Sequence, residues 1–440
     1  MNMALSAYLF VPIMLSFLYY KHIAVTWSYM GFTDLELTTK IVNTIIAAVT
    51  IIIMGYQIKK TAQIYPSDIL LLIFASTSGA SFIFMCRNNE TAYAMYVAGV
   101  IALAFTLGRT KLVGLINIKT PILKVLKSKR LMRLITYIIL LTVLITAISG
   151  YSGISGFSSD SSSRIFNTDS VALRGRLSKL GTIGSYSLFI LRYLLGPILI
   201  KYMLETRKYV QLVLLVILYF MIATIGATKV DLAIPIIVIT IYITEKWLSK
   251  GSLEERILVP LGIIITVLTV YIEIGWNQSL VSMAAMRGLF IQGVIAHNYR
   301  DFFETNSLMY LSHMSILSSW YPYTEPIGRI IGNIYGGGRV NSHWISTEGI
   351  AGFGTTWGPI IAGIIVGLVF SRLNNLVRGY KMTYKGLMIL YPLSIPFCDT
   401  PFSVSLVSGG IIVYYLTAKV YPGLLGYEND KHNLKQYDGE

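Results

Sequence analysis

Apolar residues in this chain come in long blocks, not in alternation with polar ones. Twelve blocks stand out, at 4–20, 41–56, 67–86, 92–108, 132–149, 181–200, 209–226, 230–247, 257–275, 353–371, 383–396 and 403–418. A helix of about 20 apolar residues crosses a ~30 Å hydrocarbon core, and most of these blocks are near that length. The pattern predicts an all-α, polytopic membrane protein of about twelve transmembrane helices. The two-residue alternation of an outer-membrane barrel is absent. The first block, 4–20, has no basic segment before it and no small-residue cleavage site after it, so it is expected to be a retained span. The two halves share neither span spacing nor a pattern of interrupted helices, which weighs against an inverted-repeat transporter.

Polar interruptions divide the chain further. Spans one to five occupy 1–149, a Gly/Ser-rich and then basic loop follows at 150–180, and spans six to nine fill 181–275. A long non-spanning segment covers 276–352, spans ten to twelve occupy 353–425, and a polar tail expected to lack order runs from 426 to 440.

Composition agrees with a membrane chain. Hydrophobic residues make up 54% and charged residues 13%, with a mean hydropathy of +0.64, whereas soluble domains carry about 25% charged residues. The net charge of +15 is compatible with nucleic-acid binding, but the excess of Lys and Arg on cytoplasmic loops accounts for it more simply. The loop 108–133 carries eight Lys/Arg and is placed inside; alternation from that anchor puts 23 basic residues inside and 12 outside, with both termini cytoplasmic. The loops 150–180 and 276–352 then face outward. Against the charge rule, they hold eight of the twelve outer cations, among them Arg164, Arg174, Arg176, Arg287, Arg300, Arg329 and Arg339.

Arginine outside invites an anion. Its planar fork matches phosphate oxygens and never loses its charge, so a pyrophosphate is one reading; anionic headgroups, or pairing with Asp160, Asp169, Asp301 and Glu304, is the other. The segment 276–352 also holds His297, His313 and His343, three of the five histidines. His343 precedes the apolar run 353–371 and is expected at the membrane–water boundary, where an imidazole can take a proton from a sugar hydroxyl. Glu348, five residues on, is expected to orient it or to act as the base itself. His297 and His313 lie on apolar helical patterns that packing explains. Trp276, Tyr299, Phe302, Phe303, Trp320, Tyr321, Tyr323, Tyr335 and Trp344 fit either an interfacial belt or sugar stacking. Gly336-Gly337-Gly338 reads as a turn and lacks the Lys-Ser/Thr of a nucleotide loop. Asp34 and Glu36 could serve a metal or act as a base. Cys86 and Cys398 allow one bridge or two unrelated thiols. Arg192, mid-span with no acid obviously facing it, reads as reaching a substrate channel.

The stretches RGLFIQGVIAHNYRDFF, PIGRIIGNIY and NSHWISTEGIAGFGTTWGPIIAGIIVG, set within this topology, resemble bacterial oligosaccharide repeat-unit polymerases of the Wzy type, the O-antigen polymerases. The points of likeness are an Arg-led helix ending Tyr299-x-x-Phe302-Phe303 and a Gly-rich return into the membrane. Arg164 and Gly175 also stand in an Arg-x10-Gly relation. His343 and Gly354 keep the His-to-Gly spacing of the related O-antigen ligases, but Trp344 fills the position that is Asn, Ser or Gln there.

The resemblance implies a GT-C superfamily glycosyltransferase with two large periplasmic loops, acting at the periplasmic face of the inner membrane. It implies no metal, cofactor or nucleotide sugar. Donor and acceptor would be undecaprenyl-pyrophosphate-linked oligosaccharides, with membrane lipid and a chain-length regulator protein as partners and no nucleic acid. The catalytic pair would be His343 and Glu348. Arg174, Arg176 and Arg287 would hold the pyrophosphate, supported by Arg164, Arg300 and Arg339. An O-antigen ligase and a lipid-linked oligosaccharide flippase are the alternatives.

Overall fold

The structure, a computed structural model, describes residues 3–61, 63–110, 137, 187–226, 230–248, 253–275, 278–336 and 340–429. The described residues are mostly helical. Among the described residues, seven helices are long and apolar enough to cross a membrane, at Tyr8–Thr26, Leu37–Lys60, Pro66–Phe84, Asn88–Arg109, Ser187–Glu205, Ile345–Val377 and Phe402–Val420, and shorter apolar helices lie at Tyr209–Ala223, Val230–Thr244 and Leu258–Glu273. Ten of the twelve predicted blocks thus fall on apolar helices. The block 383–396 forms a helix of only 13 residues, Leu387–Asp399, and 132–149 lies outside the described residues except for Tyr137. The chain forms two compact units, one from 1–115, 250–375 and 396–405, the other from 116–249, 376–395 and 406–440.

The first unit is built around Pro66–Phe84, whose whole length is buried. It neighbours the helices Leu37–Thr61, Thr91–Arg109 and Ile291–Phe303. The last of these sits close because Gly293 meets the Ser81 carbonyl, where a Cβ would come within 2.7 Å. A helix buried all round has no water for its polar groups, so they bond within the protein. Asp68 pairs with Arg109, which also donates to the Gln63 carbonyl at 3.1 Å. Asn374 donates to Ser67 Oγ at 2.7 Å and to the Gly108 carbonyl at 2.9 Å.

The end of the long predicted loop is not a loop. Residues 342–352 are buried; they are helical from Trp344, π-type over Ile345–Ile350, and run into Ala351–Val377, which breaks at Phe353 and Gly354. Gly354 has φ +84° and ψ 171°, a conformation open essentially to glycine alone. The break folds the chain back on itself, and Gly349 and Gly358 touch backbone to backbone: a Cβ on Gly358 would lie 2.2 Å from the Gly349 carbonyl oxygen.

In the second unit, Arg192 lies in the π-type turn Leu191–Leu195 and forms a two-pronged pair with Asp231, with Nη2 to Oδ2 at 2.7 Å. Tyr219 donates to the Arg192 carbonyl at 2.8 Å. This corrects the expectation that Arg192 serves a channel: its acidic partner is distant in sequence and was invisible there. Tyr380–Met382 pairs antiparallel with Tyr427–Asn429, Lys381 opposite Glu428.

Gly358→Ala is expected to destabilise the protein by at least about 2 kcal/mol, because the added methyl meets a fixed carbonyl that no rotamer can avoid. Gly99→Ala, with nothing within 4 Å of the added Cβ, is expected to leave stability unchanged or raise it by about 1 kcal/mol. Thermal unfolding in detergent compares the two.

Candidate functional site

The segment 342–348 is polar and fully enclosed. Ser342, His343, Trp344, Ser346, Thr347 and Glu348 are all buried. Six of their side-chain atoms have no hydrogen-bond partner: Ser342 Oγ, both His343 nitrogens, Trp344 Nε1, Ser346 Oγ and Glu348 Oε2. An unbonded buried polar atom costs about 1–3 kcal/mol, and ionisable groups inside membrane helices are rare outside functional sites. Six such atoms within seven residues single this segment out.

Its surroundings come from the central helix and from Ile291–Phe303. The central helix is π-type over Ala75–Gly79, the run ASTSG, all of it buried. Thr77 Oγ1 lies 3.7 Å from Cys398 Sγ, and Ser78 Oγ donates to the Cys398 carbonyl at 3.2 Å. Cys86 and Cys398 are both free. Thr347 Oγ1 donates to the Ser342 carbonyl at 3.1 Å.

His343 is not at the boundary where the sequence placed it. Its ring sits edge-on against Phe74 at 5.0 Å, with Phe82 at 6.3 Å. Burial with no partner pulls its pKa down to about 3, so it stays neutral and holds a proton poorly. His297 packs edge-on against Phe82 at 4.8 Å, with Nε2 3.3 Å from the Phe82 carbonyl, and burial pulls it down to about 4.

Glu348 meets other residues instead. Its Oε1 lies 3.5 Å from His313 Nε2 and accepts from both Ser403 N and Ser403 Oγ at 3.0 Å. Ser403 Oγ is also 3.4 Å from His313 Nε2. No hydrogen bond links His343 to Glu348 as expected; the side chains that meet Glu348 are His313 and Ser403. His313 sits in a turn, not on the expected helix. That turn is strained: Tyr310 and Leu311 have φ of +46° and +64°, which costs L-residues roughly 1–2 kcal/mol each. Met309 N and Tyr310 N hold it by donating to the carbonyls of Ala351 and Gly352 at 2.7 and 3.2 Å. Ser403 comes from the start of the helix Phe402–Val407, in a stretch with no motif in the sequence. Nearby in the chain, Asp399 ends the helix Leu387–Asp399, and burial pushes its carboxyl up to about 7.

The predicted arginines separate. Arg287 is exposed on the π-type turn Met286–Phe290 and has no ion pair among the described residues. Arg300 is taken up by its own protein: Glu90 at 2.7 Å, Glu304 at 3.4 Å and the Tyr93 ring at 4.2 Å. Expected as a supporting phosphate ligand, Arg300 instead has its guanidinium paired within the protein. Arg329 pairs loosely with Glu325 at 3.6 Å. Arg164, Arg174, Arg176 and Arg339 lie outside the described residues, as do Trp276, Gly337 and Gly338.

Tyr299, Phe302, Phe303 and Trp344 are buried, which leaves them no sugar face or interfacial belt to serve; Tyr310 and Trp320 are exposed. Asp34 pairs with Lys40 at 2.6 Å. Among the described residues, no three His, Cys, Asp or Glu side chains gather closely enough to hold a metal ion. Set against protein families, curated proteins and solved structures, the chain matches none of them.

A histidine depressed in the fold contributes stability that is complete above its unfolded pKa near 6.5 and is lost as pH falls toward the folded value, about 3 for His343. His297 acts in the same direction. Asp399 acts oppositely, since its raised pKa makes the fold relatively more stable as pH falls below about 7. His343→Gln removes one of these contributions. From about pH 7.5 to about pH 4.5 the variant is expected to lose about 3 kcal/mol less than the wild type, read by thermal unfolding at both pH values.

Proposed function

We propose that the protein is a glycosyltransferase of GT-C type that polymerises lipid-pyrophosphate-linked oligosaccharide repeat units at the periplasmic face of the bacterial inner membrane. The observation that carries this reading is the enclosed polar segment 342–348. In a membrane-embedded chain, uncompensated polar atoms at that density are retained for function, not for stability. The segment closes the longest stretch between apolar blocks, on the side that charge bias assigns to the outside. Arg287, exposed on the same stretch and without a carboxylate partner among the described residues, supplies a fixed cation.

In this reading an acceptor hydroxyl attacks the anomeric carbon of the donor's first sugar, and undecaprenyl pyrophosphate leaves with the bonding electrons. Negative charge grows on the departing phosphate. Arg287, with Arg174 and Arg176 and the supporting Arg164 and Arg339, is the cation set that would meet it, since fixed charge placed where charge develops lowers the barrier. Arg300 is left out of that set because Glu90 and Glu304 already occupy it. Both termini lie in the cytoplasm, and the lipid chains stay in the bilayer between spans.

Deleting the chain from its native strain is expected to leave lipopolysaccharide with a single repeat unit on the core. A strain that still builds lipid-bound polymer but attaches none would instead identify a ligase, and unflipped repeat units held inside would identify a flippase. Restoring the strain with Arg287→Ala is expected to shorten the ladder and lower the polymerisation rate at least about tenfold, with protein level unchanged. A normal ladder from this variant would remove Arg287 from the mechanism.

A further inference from the structure

We propose that His313 is the group that takes the proton from the acceptor hydroxyl, with Glu348 and Ser403 as its positioning residues; this rests on the transferase reading above. The three meet at one atom. Glu348 Oε1 is 3.5 Å from His313 Nε2 and 3.0 Å from both the amide and the hydroxyl of Ser403. Two donors from Ser403 fix the carboxylate, and Ser403 Oγ, whose own proton goes to Glu348, lies 3.4 Å from Nε2, so the ring donates from Nε2 to that hydroxyl with the carboxylate 3.5 Å behind it. The lone pair then sits on Nδ1, which is buried and without a partner. A carboxylate behind an imidazole sets its tautomer and stabilises the cation formed on protonation. Glu348 is 5% exposed, with Oε2 unpartnered, so the pair keeps two acceptor atoms unused inside the protein. The other two histidines of the segment lack this arrangement. His343 has no carboxylate on either nitrogen, and His297 turns Nε2 toward the Phe82 carbonyl.

The step balances without a further reactant. The acceptor oxygen forms its bond to the anomeric carbon as its proton passes to His313 Nδ1. The bond from that carbon to the pyrophosphate oxygen breaks, and the electron pair leaves with the phosphate. The proton on the imidazolium, held by Glu348, then goes to water or to the departed pyrophosphate.

The test uses purified full-length protein in detergent or vesicles with a lipid-pyrophosphate-linked repeat unit, following polymer formation and, separately, donor binding. His313→Gln is expected to lower the rate about a hundredfold or more while donor affinity stays within a few-fold of wild type. Glu348→Gln, which keeps the shape but cannot hold the imidazolium, is expected to show the same split between rate and binding and serves if the first variant does not fold. Wild-type polymer formation with either variant near the full rate, or with rate and donor binding falling together, overturns the assignment alone. No polymer from the wild type overturns the transferase reading, and this assignment with it.

Discussion

Burial away from water without a bonding partner is the constraint that the described structure turns on. Among the described residues it is met in most places and left open in a few, Ser76 Oγ and one oxygen of Asp68 among them. The central helix Pro66–Phe84 is buried along its whole length and still carries an aspartate and several serines and threonines. Asp68 is answered by Arg109 and Ser67 by Asn374, while Thr77 and Ser81 bond to the Ile73 and Ser78 carbonyls. Against that background the segment 342–348 gathers six such atoms within seven residues. Its cost is carried by the rest of the first unit, which packs around it closely enough for Gly349 to touch Gly358 and Gly293 to touch Ser81.

Charge shows the same division between closed and open. Arg109, Arg192 and Arg300 each have a carboxylate of their own. Removing one partner of a buried pair such as Arg192 and Asp231 strands a charge, at about 3–5 kcal/mol. Such pairs hold helices together and leave no cation for a ligand. Arg287 sits apart from this group, since exposure removes the penalty and the absence of a carboxylate among the described residues leaves its fork unoccupied. Sequence position alone could not separate Arg287 from Arg300. Both are outward arginines in one segment, thirteen positions apart, and what distinguishes them is Glu90, which arrives from a different helix.

The helical, membrane-type character and most helix positions were legible because a span needs about twenty mostly apolar residues with its backbone bonds made internally, and that signal survives in a single sequence. The break after residue 352 was half legible: the glycines of GIAGFGTTWG marked a return of the chain, but nothing in their spacing showed that Gly354 would take a conformation closed to other residues. The site was less legible. His343 stands ahead of an apolar run and reads as a boundary residue, yet the chain folds back and seals it against Phe74. His313 has apolar neighbours and reads as core. Its turn through Tyr310 and Leu311 depends on hydrogen bonds to Ala351 and Gly352, some forty residues later. Ser403 carries no motif at all and acquires a role only from where Glu348 lies.

The strain at Tyr310 and Leu311 and the break at Gly354 belong together. Two consecutive L-residues at positive φ cost roughly 2–4 kcal/mol in sum, so surrounding contacts must over-determine the turn for it to persist. Those contacts are the amides of Met309 and Tyr310 on the carbonyls of Ala351 and Gly352. The two carbonyls are available because the helix is interrupted directly after them, at Phe353 and Gly354, and an uninterrupted helix would use them for its own next turn. One interruption therefore does two things: it frees the acceptors that hold His313 in its turn, and it ends the short helical segment that carries Glu348. Histidine and carboxylate are brought within 3.5 Å by a single backbone feature. The cluster's geometry is thus set by main chain, which moves less readily than side chains, so imidazole, carboxylate and hydroxyl are held together by the backbone.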